Sequence, residues 1–163
     1  MSQPISRAGT DLKLFKAMHA AGFTPFPMYG FSKIPHKGFL DTPFEPDWMP
    51  VDNCNYGVLL RRRFLVIDAD PRHYPEGRKP FRELMRALQM PVDVQKTTFT
   101  VKTPRGGYHI YFRKPETCEI VHTLRDYPGL EFKDQHILCP GSYIFQDPEG
   151  RAVNGGYTVF NGT

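Results

Sequence analysis

The sequence has no long apolar run, few cysteines and little excess charge. Among its 163 residues, no apolar run approaches the ~20 residues that a membrane helix needs, so we expect no membrane association. The N-terminal segment lacks the apolar core of a signal peptide, which predicts a cytoplasmic protein. Cys54, Cys118 and Cys139 are odd in number and do not make a disulfide framework, so we expect reduced thiols.

The composition is that of an ordinary globular protein. Apolar residues make up 40% and charged residues 23%, and the length suits a single domain over residues 1–163 with one chemistry or one binding task. The sequence contains no internal repeat and no low-complexity segment. A net charge of +4 mildly favours a polyanionic partner without identifying one.

Local patterns predict two helices and one irregular segment. Asp11 can cap a first helix that runs to about Ala21, with Gly22 as its stop. The apolar spacing of KPFRELMRALQM predicts a second helix that ends before Pro91. Residues 23–56 are rich in proline, glycine and aromatic residues, which predicts an ordered, folded-back loop with short strands.

Short strands account for most of the remaining chain. The predicted strand segments are YGVLL, FLVIDAD, TTFTVKT, YHIYFRK, LEFK, HILCPGSYIF and GGYTVF. TPRGG predicts a hairpin between the third and fourth of these, and the arginine run 61–63 predicts a turn. The order of helix, strands, helix and strand meander favours an α+β fold over a doubly wound parallel sheet.

The end of FLVIDAD carries two carboxylates on one side. Side chains alternate along a strand, so Asp68 and Asp70 point the same way while Ala69 points the opposite way. Two adjacent like charges are unfavourable unless a cation or a shared proton compensates them, which favours a divalent metal. The alternative is that both aspartates enter solvent at the strand end and cap the following turn.

Two later strands repeat this pattern of polar side chains on one face. Gly106 and Gly107 leave the backbone before His109 free of side chains, so that a ligand can approach it closely. Taken singly, each feature has an ordinary structural explanation, and it is their combination and order that carry information. The predicted shared faces are His109 with Tyr111 and Arg113, and Glu131 with Lys133.

Four motifs in this order resemble the catalytic domain of the archaeo-eukaryotic primase superfamily, most closely the bifunctional DNA primase/polymerase domain of plasmids and phages. The motifs are VIDAD, TPRGGYHIYF with His109, GLEFK with Glu131, and ILCPGSYI. KIPHKGFL and NYGVLL also resemble the N-terminal signature of that family, so the resemblance covers about residues 20–160. Arg105 stands where many relatives carry a small hydroxyl residue, although arginine also binds phosphate.

The resemblance implies a fold and a reaction. The fold is an α+β primase core in which a small N-terminal α/β lobe packs on an antiparallel, RNA-recognition-motif-like sheet lobe, with the active site between them. The reaction is template-directed nucleotidyl transfer, in which two divalent ions, Mg²⁺ or Mn²⁺, stabilise the attacking and leaving oxygens. Asp68, Asp70 and Glu131 would be the catalytic metal ligands.

The phosphate charge that metal ions leave uncovered needs hydrogen-bond donors. The resemblance implies that His109 contacts the triphosphate and not the metal. The other residues predicted to bind nucleotide are Arg105, Gly106, Gly107, Arg113, Lys133 and Ser142.

The implied partners are a single-stranded DNA template, nucleoside triphosphates and a helicase domain or protein, in the replication of a phage or plasmid. Because this domain often precedes a helicase, the chain can be an N-terminal fragment of a longer primase-helicase. Dispersed cations and one or two stacking aromatic residues are expected to bind the template, not a sequence-reading helix. The candidates are Lys33, Lys37, Arg61, Arg62, Phe26, Tyr29, Phe31, Phe39, Phe44 and Trp48.

Other functions fit the sequence less well. A haloacid-dehalogenase phosphatase would have Thr or Val where Arg72 stands, a glycosyltransferase would need a βαβ domain before the aspartates, and a rolling-circle nuclease would need a second histidine in YHIYF. Structural zinc is disfavoured, because the second half of the set Cys118, His122, His136 and Cys139 lies on a predicted strand, where residues three apart face opposite sides. A catalytically decayed, single-stranded nucleic-acid-binding module remains the alternative, although all three acids and the histidine are present. De novo priming and primer extension are not distinguished by the sequence, nor are deoxy- and ribonucleotides.

Overall fold

The chain folds as an α+β protein, as the sequence predicts. The computed structural model describes residues 12–35 and 54–162, so the predicted cap Asp11 lies outside the described residues. Within them are two α-helices, α1 (Leu12–Ala20) and α2 (Pro80–Ala87), neither of which is long and apolar enough to cross a membrane. The strands are β1 (Thr24–Pro27), β2 (Tyr56–Leu59), β3 (Phe64–Ala69), β4 (Thr100–Lys102), β5 (Tyr108–Arg113), β6 (Leu130–Lys133), β7 (His136–Leu138), β8 (Tyr143–Gln146), β9 (Ala152–Gly156) and β10 (Thr158–Asn161).

These elements form two compact units. The first unit comprises the residues up to Leu60 together with His136–Thr158, and the second comprises Arg61–Gln135 and the residues from Val159 onward. In the first unit, β2 pairs antiparallel with β1 and β7, and β8 pairs antiparallel with β9. In the second unit, the strands form one five-stranded sheet in the order β10-β4-β5-β3-β6.

A buried asparagine ties three segments of the first unit together. Asn55 is fully buried, and its side-chain amide donates to the carbonyl oxygens of Ser32 and Tyr143 at 3.2 and 2.8 Å. Its side-chain carbonyl accepts a hydrogen bond from the Tyr143 N–H at 2.8 Å. Because buried backbone groups need hydrogen-bond partners, Asn55 fixes the segments around Ser32 and Tyr143 against β2.

Helix α1 ends close to the predicted position. Gly22 has a φ of +94°, and its N–H donates to the carbonyl oxygen of His19 at 3.0 Å. A left-handed glycine just beyond the last turn is a common helix stop. On α1, Met18 is buried at 3% exposure, whereas His19 is exposed.

Two predicted strand segments are each divided in the structure, so their prediction as single strands is wrong. HILCPGSYIF forms β7 and β8, which belong to different sheets, because Pro140 and Gly141 interrupt it and Gly141 has a φ of +92°. GGYTVF is divided at Tyr157, whose N–H donates to the carbonyl oxygen of Ser142 at 2.8 Å. Both breaks lie at or next to dipeptides that mark turns, Pro140–Gly141 and Gly155–Gly156, which the prediction of continuous strands overlooked.

The sheet of the second unit has one face buried against α2. Ile67 pairs with Ile110 of β5, and Ala69 pairs with Leu130 of β6. Since directly paired residues share a face, these four side chains form one apolar surface. The core cluster on this side is Ile67, Ala69, Phe81, Leu84, Met85, Val94, Ile110 and Leu130. Alternation along β3 therefore directs Asp68 to the opposite face.

TPRGG forms the predicted hairpin between β4 and β5. Lys102 pairs with Tyr108, and Gly106 adopts a φ of +81° with no atom within 4 Å of the position that a Cβ would take. A Cβ on Gly107 would lie 2.3 Å from the backbone oxygen of Ala69. The hairpin turn therefore packs directly against the end of β3, next to the two aspartates.

Alanine at the two hairpin glycines should separate backbone strain from crowding. Gly106→Ala is expected to lower the free energy of unfolding by about 1–2 kcal/mol, because an L-residue must then adopt a left-handed conformation. Gly107→Ala should cost about 3 kcal/mol, because the clash is with a strand backbone. Urea unfolding of both variants measures the difference, and equal losses would contradict the close approach to Ala69.

Removing the Asn55 side chain should destabilise the first unit strongly. Asn55→Ala leaves three backbone groups without partners in a buried environment, and we expect a loss of about 3 kcal/mol in unfolding free energy. Asn161→Ala is the matched control, because its amide also donates to two carbonyl oxygens, those of Lys96 and Thr98, at a partly exposed position where water can replace it. Calorimetry should show the larger loss for Asn55→Ala, and a similar loss in both variants would contradict this role.

Candidate active site

A carboxylate, a second carboxylate and a histidine stand in one row across three strands. Asp68 of β3 pairs directly with Glu131 of β6 on one side and with His109 of β5 on the other. Paired residues point to the same face, so the three side chains lie on the face opposite α2. Their side-chain exposures fall from 55% for Glu131 to 28% for Asp68 and 5% for His109.

Asp70 extends this group by one step beyond β3. Its backbone is extended, with φ −112° and ψ 98°, and its N–H donates to the carbonyl oxygen of Gly129 at 2.8 Å. The alternation of the strand therefore continues, and Asp70 points to the same side as Asp68, as the sequence predicts. Gly129 has a φ of +86°, and a Cβ there would lie 2.6 Å from the Tyr74 ring and 2.9 Å from the Asp70 carbonyl oxygen.

Each of the three acids has a basic neighbour. Asp70 accepts two hydrogen bonds from the guanidinium of Arg72, one of them at 2.9 Å from Nε to Oδ1. Glu131 accepts a hydrogen bond from Lys133 Nζ at 2.6 Å. Asp68 Oδ1 lies 3.6 Å from His109 Nε2, which is longer than a hydrogen bond. The charges of Arg72 and Lys133 offset the repulsion between the carboxylates.

The surroundings shift the pKa of two groups beside the row. Burial acts to raise the pKa of Asp70, but hydrogen bonds and charge from Arg72, with a smaller contribution from His73, outweigh it and hold that pKa below its ordinary value. Its contribution to stability is therefore present at neutral pH and is lost as the pH falls through the lowered pKa. Burial, and then the charges of Asp70 and Asp68, raise the pKa of Tyr74 to about 12, so its phenol stays protonated.

The carboxylates suit a divalent ion by their chemistry, but their side chains do not converge on one point. Asp68, Asp70 and Glu131 supply hard oxygen donors from adjacent backbone positions. In the described part of the chain, however, no three His, Cys, Asp or Glu side chains are grouped closely enough to hold a metal ion. Asp70 is turned toward Arg72 and Glu131 toward Lys133, so these two cations compete with a metal ion for the carboxylates.

The residues predicted to contact nucleotide are only partly brought to the row. Lys133 lies beside Glu131, and Arg105 lies in the turn next to the β3 end, but the amides of Gly106 and Gly107 already donate to Thr103, at 3.2 and 3.0 Å. Arg113 shares the face of His109 but lies four residues along β5, which is about 13 Å for a strand. Its guanidinium lies 6.0 Å from the centre of the Phe64 ring.

The remaining predicted polar residues belong wholly or partly to the first unit. Ser142 belongs to the first unit and is 1% exposed, and its hydroxyl donates to the carbonyl oxygen of Tyr56 at 3.2 Å and accepts from the Tyr56 N–H at 3.4 Å. These bonds give Ser142 a structural role, in which it links the turn between β7 and β8 to the start of β2. The four residues of the zinc pattern are divided between the units, with Cys118 and His122 in the second and His136 and Cys139 in the first.

Arg72 and Gly129 are the two site residues that sequence reasoning missed. Arg72 follows Pro71 in a short 3₁₀ turn. Asp70 is the N-cap of this turn, because its Oδ1 accepts a hydrogen bond from the Arg72 N–H at 3.1 Å. The Asp-Pro dipeptide is a known turn signal, and it places the arginine two residues beyond the acid. Gly129 could have been suspected from its position just before the strand that carries Glu131, where a close backbone approach is common.

The family comparison covers nearly the whole chain. The model of the family described as bifunctional DNA primase/polymerase, N-terminal, matches residues 15–163, a range that contains Asp68, Asp70, His109 and Glu131. No curated protein matches the chain significantly. The family gives the chain a primase/polymerase-type function in replication and a nucleotidyltransferase activity, and its α+β core agrees with the observed helices and antiparallel sheets. The chain belongs to the bifunctional DNA primase/polymerase family.

Proposed function

We propose that the chain is a template-directed, metal-dependent DNA primase or polymerase whose active site is the Glu131–Asp68–His109 row together with Asp70. The observation that carries the proposal is the register of β3, which pairs Asp68 with an acid on one side and a histidine on the other. Two carboxylates directly opposite each other destabilise a sheet, so their presence at a partly exposed position indicates a cationic ligand.

Asp68, Asp70 and Glu131 are the proposed metal ligands. Two divalent ions, Mg²⁺ or Mn²⁺, would supply charge stabilisation for the attacking and leaving oxygens of a phosphoryl transfer. The part of the protein is to hold the three acids at fixed backbone positions, through the β3–β6 pairing and the hydrogen bond from Asp70 to Gly129. Such fixed backbone positions leave only side chains to move when the site is loaded.

His109 is the proposed donor to a phosphate oxygen of the nucleoside triphosphate. Its ring is almost fully buried, and Asp68 Oδ1 lies 3.6 Å from Nε2, so the imidazole lies beside the acids that would hold the metal. Further positive charge comes from Lys133, at the end of β6, and from Arg105, in the turn before β5. A buried donor with charged neighbours is suited to an anionic group.

The single-stranded template would contact dispersed cations and a few aromatic side chains. Arg61 and Arg62 are exposed in the predicted turn, and Lys33 and Tyr29 are exposed in the first unit, with Tyr29 at 47%. Phe26 is 1% exposed and belongs to the core, and Lys37, Phe39, Phe44 and Trp48 lie outside the described residues. A phage or plasmid setting and a helicase partner rest on the family resemblance alone.

Removing one charge from the row should abolish synthesis without unfolding the protein. Asp68→Asn keeps the shape of the side chain, and the loss of several kcal/mol of transition-state stabilisation corresponds to a fall of about 1000-fold in incorporation. Primer extension on a single-stranded template with Mn²⁺ and labelled nucleotides measures it. Asp93→Asn, which removes a charge from the exposed Asp93–Lys96 pair, should remain active.

Full activity of Asp68→Asn would contradict the proposal that the carboxylates of the row hold the catalytic metal ions. A wild-type protein that binds single-stranded DNA in a salt-sensitive way but incorporates no nucleotide would indicate a catalytically decayed binding module instead.

Shortening His109 should weaken nucleotide binding selectively. Hydrogen bonds to charged groups contribute about 1.5–3 kcal/mol, so His109→Asn should raise the KM for the nucleotide about tenfold or more while the affinity for single-stranded DNA stays unchanged. Steady-state kinetics and fluorescence anisotropy measure the two quantities. Loss of template affinity to the same extent would contradict the assignment of His109 to the triphosphate.

A further inference from the structure

Arg72 is the main hydrogen-bond partner of the Asp70 carboxylate, beside which His73 Nε2 also lies, 3.5 Å from Oδ2. Its guanidinium donates to both carboxylate oxygens, and its backbone N–H donates to Oδ1 at 3.1 Å. The Asp70 side chain is 25% exposed and that of Arg72 is 44% exposed. A two-pronged contact between guanidinium and carboxylate is strong and directional.

This contact competes with a divalent ion for Asp70. A metal ion would share the few remaining oxygen lone pairs, and the two cations would repel each other at such short range. Under the proposed function, on which this step rests, loading the site with metal therefore favours release of Asp70 by Arg72.

The turn itself does not need the guanidinium. The cap of the 3₁₀ turn is the hydrogen bond from the Arg72 backbone N–H to Asp70, which any residue except proline can supply. The side chain of Arg72 is partly exposed and can change its direction without opening the core. Once displaced, it remains attached two residues beyond a carboxylate that has gained a metal ion, where it is close enough to contact an anionic group bound to that ion.

We propose that Arg72 is a nucleotide-binding residue that exchanges partners: it holds Asp70 in place when the site is empty, and it binds a phosphate group of the incoming nucleoside triphosphate when metal takes the carboxylate. The guanidinium can donate two parallel hydrogen bonds to a phosphate group, as it does to the carboxylate. Arg72 would then take part in nucleotide binding, although it lies outside the four motifs that resemble the family.

The exchange predicts opposite effects of one substitution on two affinities. In Arg72→Ala, Mn²⁺ binding without nucleotide should tighten about threefold, because its competitor on Asp70 is gone. Binding of dTTP at saturating Mn²⁺, without template, should weaken about tenfold. The EPR signal of free Mn²⁺ reports the first quantity and titration calorimetry reports the second. Arg72→Lys should restore part of the dTTP affinity, because it keeps the charge but not the fork.

Arg78→Ala is the matched control. Arg78 also holds a carboxylate, that of Glu83, through two nitrogens, and its side chain is 41% exposed. It should change neither affinity. If Arg72 has only a structural role, Arg72→Ala should weaken the binding of both Mn²⁺ and dTTP or of neither. If Arg72→Ala weakens the binding of single-stranded DNA and not that of dTTP, the arginine contacts the template. Each of these results overturns the exchange.

The failure of the proposed function would look different. A wild-type protein that binds no Mn²⁺ overturns the metal site and the exchange together. Wild-type Mn²⁺ and dTTP binding with no opposite shift in Arg72→Ala overturns the exchange alone.

Discussion

The pairing of β3 between β5 and β6 is the constraint on which the rest of the site depends. It puts Asp68 directly opposite Glu131 and directly opposite His109, and this arrangement is unfavourable in an empty sheet because like charges face each other. The protein compensates with cations placed two residues away in sequence, Lys133 for Glu131 and Arg72 for Asp70. These ion pairs reduce the electrostatic repulsion between the carboxylates while the site contains no metal ion.

The apolar face of the sheet and two glycines maintain that register. Ile67 and Ala69 alternate with the acids and lie in the core against α2, so a slip by one residue would bury Asp68 and expose Ile67. Gly107 and Gly129 let two backbones approach the end of β3, where a Cβ would meet the carbonyl oxygens of Ala69 and Asp70 respectively. The acids are therefore positioned by backbone contacts and not by flexible side chains.

The sequence allowed much of this site to be predicted, and the reasons for success and failure are local. Alternation along β3 was enough to predict that Asp68 and Asp70 share a face, and TPRGG was enough to predict the hairpin. Which strands flank β3 depends on long-range pairing, so the row with Glu131 and His109 needed the structure. Periodicity does not encode the details of side chains and turns. Three such details needed the structure: the hydrogen bonds from the Gly106 and Gly107 N–H groups to Thr103, the burial of Ser142, and the hydrogen bonds from Arg72 to Asp70.

The central claim is that three carboxylates on one face of this sheet hold divalent metal for nucleotidyl transfer. The most direct measurement is anomalous X-ray scattering from crystals of the protein grown with Mn²⁺ and dTTP. The account predicts anomalous peaks bound by Asp68, Asp70 and Glu131, with triphosphate density within reach of His109. Peaks bound elsewhere, or an acid row still paired with Arg72 and Lys133 at saturating Mn²⁺, would contradict it.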